Sequence, residues 1–111
     1  MKICVGYMLR KTVSKIDVAI RNKIELAIDN MLKDPQKVYD EISTMLSKQG
    51  IEPDLDAILS AISGYFWGRV KAEYLDKFKR DLNEDEKTDF NELMGRRAWE
   101  LREAFMGSLF K

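Results

Sequence analysis

Apolar residues recur along this chain at steps of three and four, and strict alternation is sustained nowhere, so the dominant period is helical. Val13, Ile16, Ile20, Ile24, Ala27 and Met31 form one stripe and predict a first helix over about residues 12–33. A second helix, about residues 35–49, carries Val38, Ile42, Met45 and Leu46 on one side. Its limits are chemically marked. Asp34 can accept from orphan backbone N–H groups, Pro35 fits the first helical position, and Gly50 supplies the left-handed residue a helix end prefers. A third helix opens at Pro53, with Asp54 and Asp56 in the turn where the dipole favours anions, and meets no breaker until about Leu82. Asn83, with Glu86 three residues on, predicts a capping box at the start of a fourth helix reaching about residue 108.

Two stripes run along the third helix. The large one is Leu55, Ile58, Ile62, Phe66, Val70, Tyr74, Phe78 and Leu82. The small one is Ala57, Ala61, Gly64, Gly68 and Ala72, which predicts a groove that another helix can approach closely, with a kink at Gly64 or Gly68 as the competing reading. The fourth helix has an inner stripe of Phe90, Leu93, Met94, Ala98, Leu101, Ala104 and Phe105. Only a residue or two separates these helices, which implies an antiparallel hairpin or a sharply bent single helix. The expected architecture is all-α: a small, uneven four-helix bundle with a long helix 3–helix 4 hairpin. Residues 1–111 are read as a single helical domain, with residues 1–11 an N-terminal lead that can pack on the bundle.

Composition narrows the chemistry. The chain has no histidine and one cysteine, Cys4. That removes His-based general bases, Ser-His and Cys-His pairs, disulfide frameworks and His- or Cys-ligated zinc sites. No serine sits in a nucleophile motif, and no glycine-rich phosphate loop is present. No cofactor is expected. The apolar run Ile3 to Leu9 is too short to span a bilayer and lacks a cleavage site, which predicts a cytoplasmic chain with no membrane partner.

Carboxylates are the remaining catalytic groups. Glu73-x-x-Asp76 and Glu100-x-x-Glu103 have the spacing with which facing helices can hold Mg²⁺. This resembles the carboxylate pairs of the MazG-like nucleotide pyrophosphatases, in reversed order and without a flanking motif. The resemblance implies a carboxylate and Mg²⁺ nucleotide hydrolase. The same spacing also occurs at Asp81-x-x-Glu84 and Asp89-x-x-Glu92, as a solvated helical face with nineteen acids would produce.

Nineteen basic and nineteen acidic side chains balance, but not evenly along the chain. Residues 1–33 hold seven basic and three acidic groups, a net charge of +4. Lys11, Lys15, Arg21 and Lys23 are therefore candidate nucleic-acid contacts, though Asp17, Glu25 and Asp29 are interleaved with them.

Two features point elsewhere. Trp99, Met106 and Phe110 form a second apolar line on the fourth helix, away from its inner stripe, and Trp67 lies to the side of the large stripe on the third. Such a patch predicts a protein partner, with cover of Trp99 by the chain's own Ile3–Leu9 segment as the alternative. Arg97, by contrast, falls in the middle of the inner stripe, where a charge needs a partner. With Asn83 as the turn, residue 97 is level with residue 69, which predicts an Arg69–Glu73–Arg97 cluster with Glu100 at its rim. The functional expectation is a small non-catalytic helical protein that acts through protein–protein association, as an adaptor, assembly subunit or inhibitor. Self-association as a dimer is its simplest form. A nucleic-acid-associated subunit using helix 1 is the alternative, and the Mg²⁺ hydrolase is third.

Overall fold

A computed structural model describes residues 15–109, with side chains through residue 107. Four helices follow in order: α1 (Val18–Lys33), α2 (Pro35–Lys48), α3 (Leu55–Phe78) and α4 (Glu84–Leu109). Among the described residues there is no strand, and the architecture is the expected all-α bundle. The bundle is uneven, because α2 has 14 residues against 26 in α4. At a rise of ~1.5 Å per residue, α4 is ~39 Å long. It packs against each of the other three helices.

Most helix ends are where the capping chemistry placed them. Asp34 accepts from the Lys37 N–H at 3.4 Å, and Pro35 opens α2. At the other end of α2, Gly50 adopts φ +78° and donates to the Ser47 carbonyl, while the Ile51 N–H reaches back to Leu46 at 2.9 Å. That is a Schellman ending, with the left-handed residue supplied by glycine. Asn83 and Glu86 form the reciprocal capping box, each side chain accepting from the other's backbone N–H at 2.8 Å.

Three boundaries differ from the sequence expectation. Helix α1 begins at Val18 and not near residue 12, capped by Asp17, which accepts from the Ile20 N–H. Residues 15–17 are not helical, and the N–H groups of Ile16 and Asp17 are used across the bundle. Ile16 donates to Asp89 at 2.9 Å and Asp17 donates to the Tyr74 hydroxyl at 2.8 Å. Helix α3 opens at Leu55, with Asp54 as its cap, and closes at Phe78 instead of reaching Leu82. Lys79 takes a left-handed conformation, φ 59°, and turns the chain out of the helix. Leu82 is nonetheless buried, tucked under the turn. The N-terminal lead 1–11, Lys11, Cys4, Val13 and Phe110 lie outside the described residues.

The core is the sum of the inner stripes. Ile16, Ile20, Ile24 and Ile28 come from the α1 region, Leu46 from α2, and Ile58 through Tyr74 from α3. Phe90, Leu93, Met94, Leu101 and Phe105 come from α4. The small stripe of α3 is not used in this way. Gly64, Gly68 and Ala72 face solvent, and a Cβ added at either glycine would meet nothing within 4 Å. Among the described residues, the close helix approach expected at these glycines does not occur. Among the described residues, no helix is long and apolar enough to cross a membrane.

Candidate functional site

Helix α4 carries two side chains that contradict its hydropathy, and they are two residues apart. Arg97 is buried, at 6% exposure, while Trp99 is 63% exposed. A step of two residues turns ~200° around a helix, so the pair marks opposite faces.

The buried face is held by charge. Arg97 was expected at a helix 3–helix 4 seam with Arg69 and Glu73, and the structure corrects that assignment. Arg97 points at α1. It donates to Glu25 Oε1 and, at 2.6 Å, to Asp29 Oδ1. Its Nε lies 3.0 Å from Glu100, one turn along α4, without the alignment of a hydrogen bond. Glu100 is thus the one predicted neighbour that Arg97 keeps. Glu73 instead accepts from Lys23 of α1 at 2.7 Å, and Arg69 is exposed. The turn spans Lys79 to Asn83 and is not centred on Asn83, and the helix facing Arg97 is α1, not α3. Glu25 is shared further: Arg96 reaches it at 3.5 Å and Arg21 at 3.8 Å. Burial works against the charge of Arg97, but the hydrogen bonds to Asp29 and Glu25 outweigh it and raise its pKa.

A second polar group ties the start of α1 to the α3–α4 turn. The fully buried Tyr74 hydroxyl accepts from the Asp17 N–H and donates to Glu86 Oε2 at 3.3 Å. Glu86, only 4% exposed, is gripped by Arg80 at 2.8 and 3.0 Å. The Arg80 guanidinium holds the Glu86 carboxyl below its ordinary range, and the Lys77 ammonium does the same for Asp17. Burial pushes the Tyr74 hydroxyl up, so it stays neutral and able to donate.

The exposed face sets two apolar side chains among charged ones, with Glu92 and Glu103 also exposed on it. Met106, two turns from Trp99 on the same side of α4, is 39% exposed. Arg96 and Arg102 stand one turn to either side of Trp99, and Arg102 also reaches Asp56 of α3 at 2.8 Å. Other large apolar side chains are exposed, including Val18, Leu26 and Leu75, but these are single residues of the kind most surfaces carry. The predicted interface residue Trp67 does not join Trp99. It packs on Phe90 with ring centroids 5.1 Å apart, and the Lys71 ammonium lies over its ring at 5.4 Å.

The sequence-predicted basic contacts are only partly free. Arg21 is paired with Asp89 at 3.3 Å, and Lys23 with Glu73, while Lys15 is exposed. The carboxylates of the predicted Mg²⁺ pairs are dispersed as well, with Glu73 on Lys23 and Glu100 on Arg97. No group of three or more His, Cys, Asp or Glu among the described residues is placed to hold a metal ion.

One feature was not anticipated from sequence. An apolar groove of about 280 Å³ opens between α1, α2 and α3, lined by Met31, Val38, Ile42, Met45, Ala61 and Tyr65, with Glu41 at its rim. Val38, Ile42 and Met45 were assigned to the inner stripe of α2. Spacing along α2 alone does not show that they also line an open surface, because that depends on how α2 packs beside α3. Compared with known proteins, the chain matches no family model, and neither a curated protein nor a solved structure is significantly similar to it.

Proposed function

We propose that this chain is a small non-catalytic helical protein that works by protein–protein association, and that the outer face of α4 is its docking surface. The observation that carries this reading is the exposure of Trp99 together with Met106 on one face of a long helix whose Phe90, Leu93, Met94, Leu101 and Phe105 are all buried. Tryptophan buries ~150–250 Å² when covered and is enriched at interface centres. Two flanking arginines give that centre a polar rim. A second copy of the chain is the simplest partner, since it needs no other gene product.

The test is the mass of the protein in solution, measured by light scattering after size exclusion. The wild type should run above the mass of one chain. Trp99→Glu, which puts a carboxylate at the centre of the face, should run as a monomer. A wild type that is monomeric at every concentration rejects the reading.

A further inference from the structure

The α4 face has a matching surface on the same molecule. We infer that the groove between α1, α2 and α3 receives the Trp99–Met106 line of a second copy, so that the chain associates head to tail. This rests on the association reading above and says which surface the α4 face meets.

Placement is the first argument. The groove is lined by α1, α2 and α3 alone, the three helices against which α4 presses its inner stripe. Trp99 projects from the far side of α4. The protruding side chains and the recess therefore belong to different faces of the bundle, and one copy cannot fill its own groove with its own tryptophan.

Shape and softness are the second. About 280 Å³ of recess admits an indole and leaves room for a thioether beside it. Trp99 and Met106 are ~10 Å apart along the helix, a separation set by the ~1.5 Å rise per residue. Two of the groove walls are Met31 and Met45, unbranched side chains that re-form around an aromatic insert. Tyr65, exposed at the edge, offers an aromatic edge to a second ring.

Charge is the third. Glu41 is exposed at the groove rim and takes part in no ion pair among the described residues. On the other surface, the Arg96 side chain is 55% exposed and is held only by Glu25 at 3.5 Å. Only orientations that bring Arg96 onto Glu41, and keep the exposed Glu92 and Glu103 of the same α4 face off it, are favourable, which fixes the orientation of the two copies.

The geometry has a consequence. A contact between two different faces leaves a free groove at one end and a free Trp99 at the other, so growth does not stop at two copies. Two variants separate this from a symmetric α4-to-α4 dimer. Met45→Glu adds a carboxylate beside Glu41 and closes the groove, and Trp99→Ala removes the insert. Both positions are exposed, so thermal melting should show both variants folded. By light scattering, the wild type should exceed twice the 12.9 kDa chain mass as concentration rises. Each variant alone should stay monomeric. Their equimolar mixture should form a species of twice that mass and no larger, since one supplies only the insert and the other only the groove. If Met45→Glu associates as the wild type does, α4 meets something other than the groove; association stands and the head-to-tail assignment falls. A monomeric wild type overturns both. Nuclear Overhauser contacts from the Met45 methyl to residues Ile3–Leu9 in monomeric Trp99→Ala would make the chain's own leading segment the occupant, and would also overturn the assignment.

Discussion

Arg97 and Trp99 sit on one helix, two residues apart, with burials that are the reverse of their hydropathies. The difference between them lies in their neighbours. Arg97 is inside because α1 offers Glu25 and Asp29 at hydrogen-bond distance and α4 itself adds Glu100. Trp99 is outside because no helix of the described chain passes over it. A guanidinium on the inner stripe is stable only while its carboxylates are there, whereas an indole on the outer face costs the fold nothing and is available to a partner. Tyr74 belongs with Arg97: a polar atom at zero exposure that is tolerated because Asp17 and Glu86 satisfy it. The buried polar groups should therefore govern stability and the exposed apolar ones should govern association, with little crossover.

The largest effect should come from stranding Arg97. Removing both α1 partners, Glu25→Ala with Asp29→Ala, leaves a buried cation with only a misaligned Glu100, and should cost ~3–5 kcal/mol. Urea denaturation measures it. The opposite change, Arg97→Met, should cost less, ~1–2 kcal/mol, because the freed carboxylates are partly exposed and rehydrate while the methionine fills the space. Equal costs for the two would show that Arg97 is solvated and would break the contrast with Trp99.

Tyr74→Phe should come next. It leaves the Asp17 N–H without its acceptor and takes a donor from Glu86, at a cost of ~1–3 kcal/mol. The loss should appear as faster amide hydrogen exchange at residues 16–20, with α3 and α4 less affected.

Acid should act through the same end of the molecule. Glu86 and Asp17 have folded-state pKa values below their unfolded ones, so their contribution is complete above the ordinary carboxylate range. It is lost as pH falls from about 4.5, the ordinary value for Glu86, through the lowered folded value. Between these two values the unfolded chain binds more protons, and stability declines. Glu86→Gln should be less stable at neutral pH and should lose less on acidification. An unchanged slope in the variant would mean that Arg80 does not hold this carboxyl in solution.

The smallest effect on folding should be that of Trp99→Ala, within ~0.5 kcal/mol, as for an ordinary surface substitution. A large loss of stability would mean that some part of the chain already covers the ring.

What the sequence showed and what it hid follows the same division. Caps are local, so Asp34-Pro35, Gly50 and the Asn83–Glu86 box were legible as residue patterns a few positions long. The burial of Arg97 was legible too, because its place in the α4 stripe depends only on helical spacing. Its partners were not. Which helix faces residue 97 is decided by how four helices pack, and a hairpin counted from Asn83 pointed to Arg69 and Glu73 instead of α1. The ends of α1 and α3 were misplaced for a related reason: Ile16, Asp17 and Leu82 look helical in pattern but are committed to contacts across the bundle or in the turn. The exposure of Trp99 followed from its angle to the inner stripe. The groove did not, since no single helix shows how closely its neighbours pack beside it.

The central claim, that the outer face of α4 is open in the single chain and closed on association, is tested most directly by the fluorescence of Trp99 alone. Trp67→Phe removes the other indole and keeps an aromatic against Phe90. In that background the emission of Trp99 should be that of a hydrated ring at high dilution, and should shift to shorter wavelength as concentration rises and copies associate. Emission at short wavelength at every dilution would show the ring already covered within its own chain. Emission at long wavelength at every concentration would show that no second copy reaches it. Either result contradicts the claim.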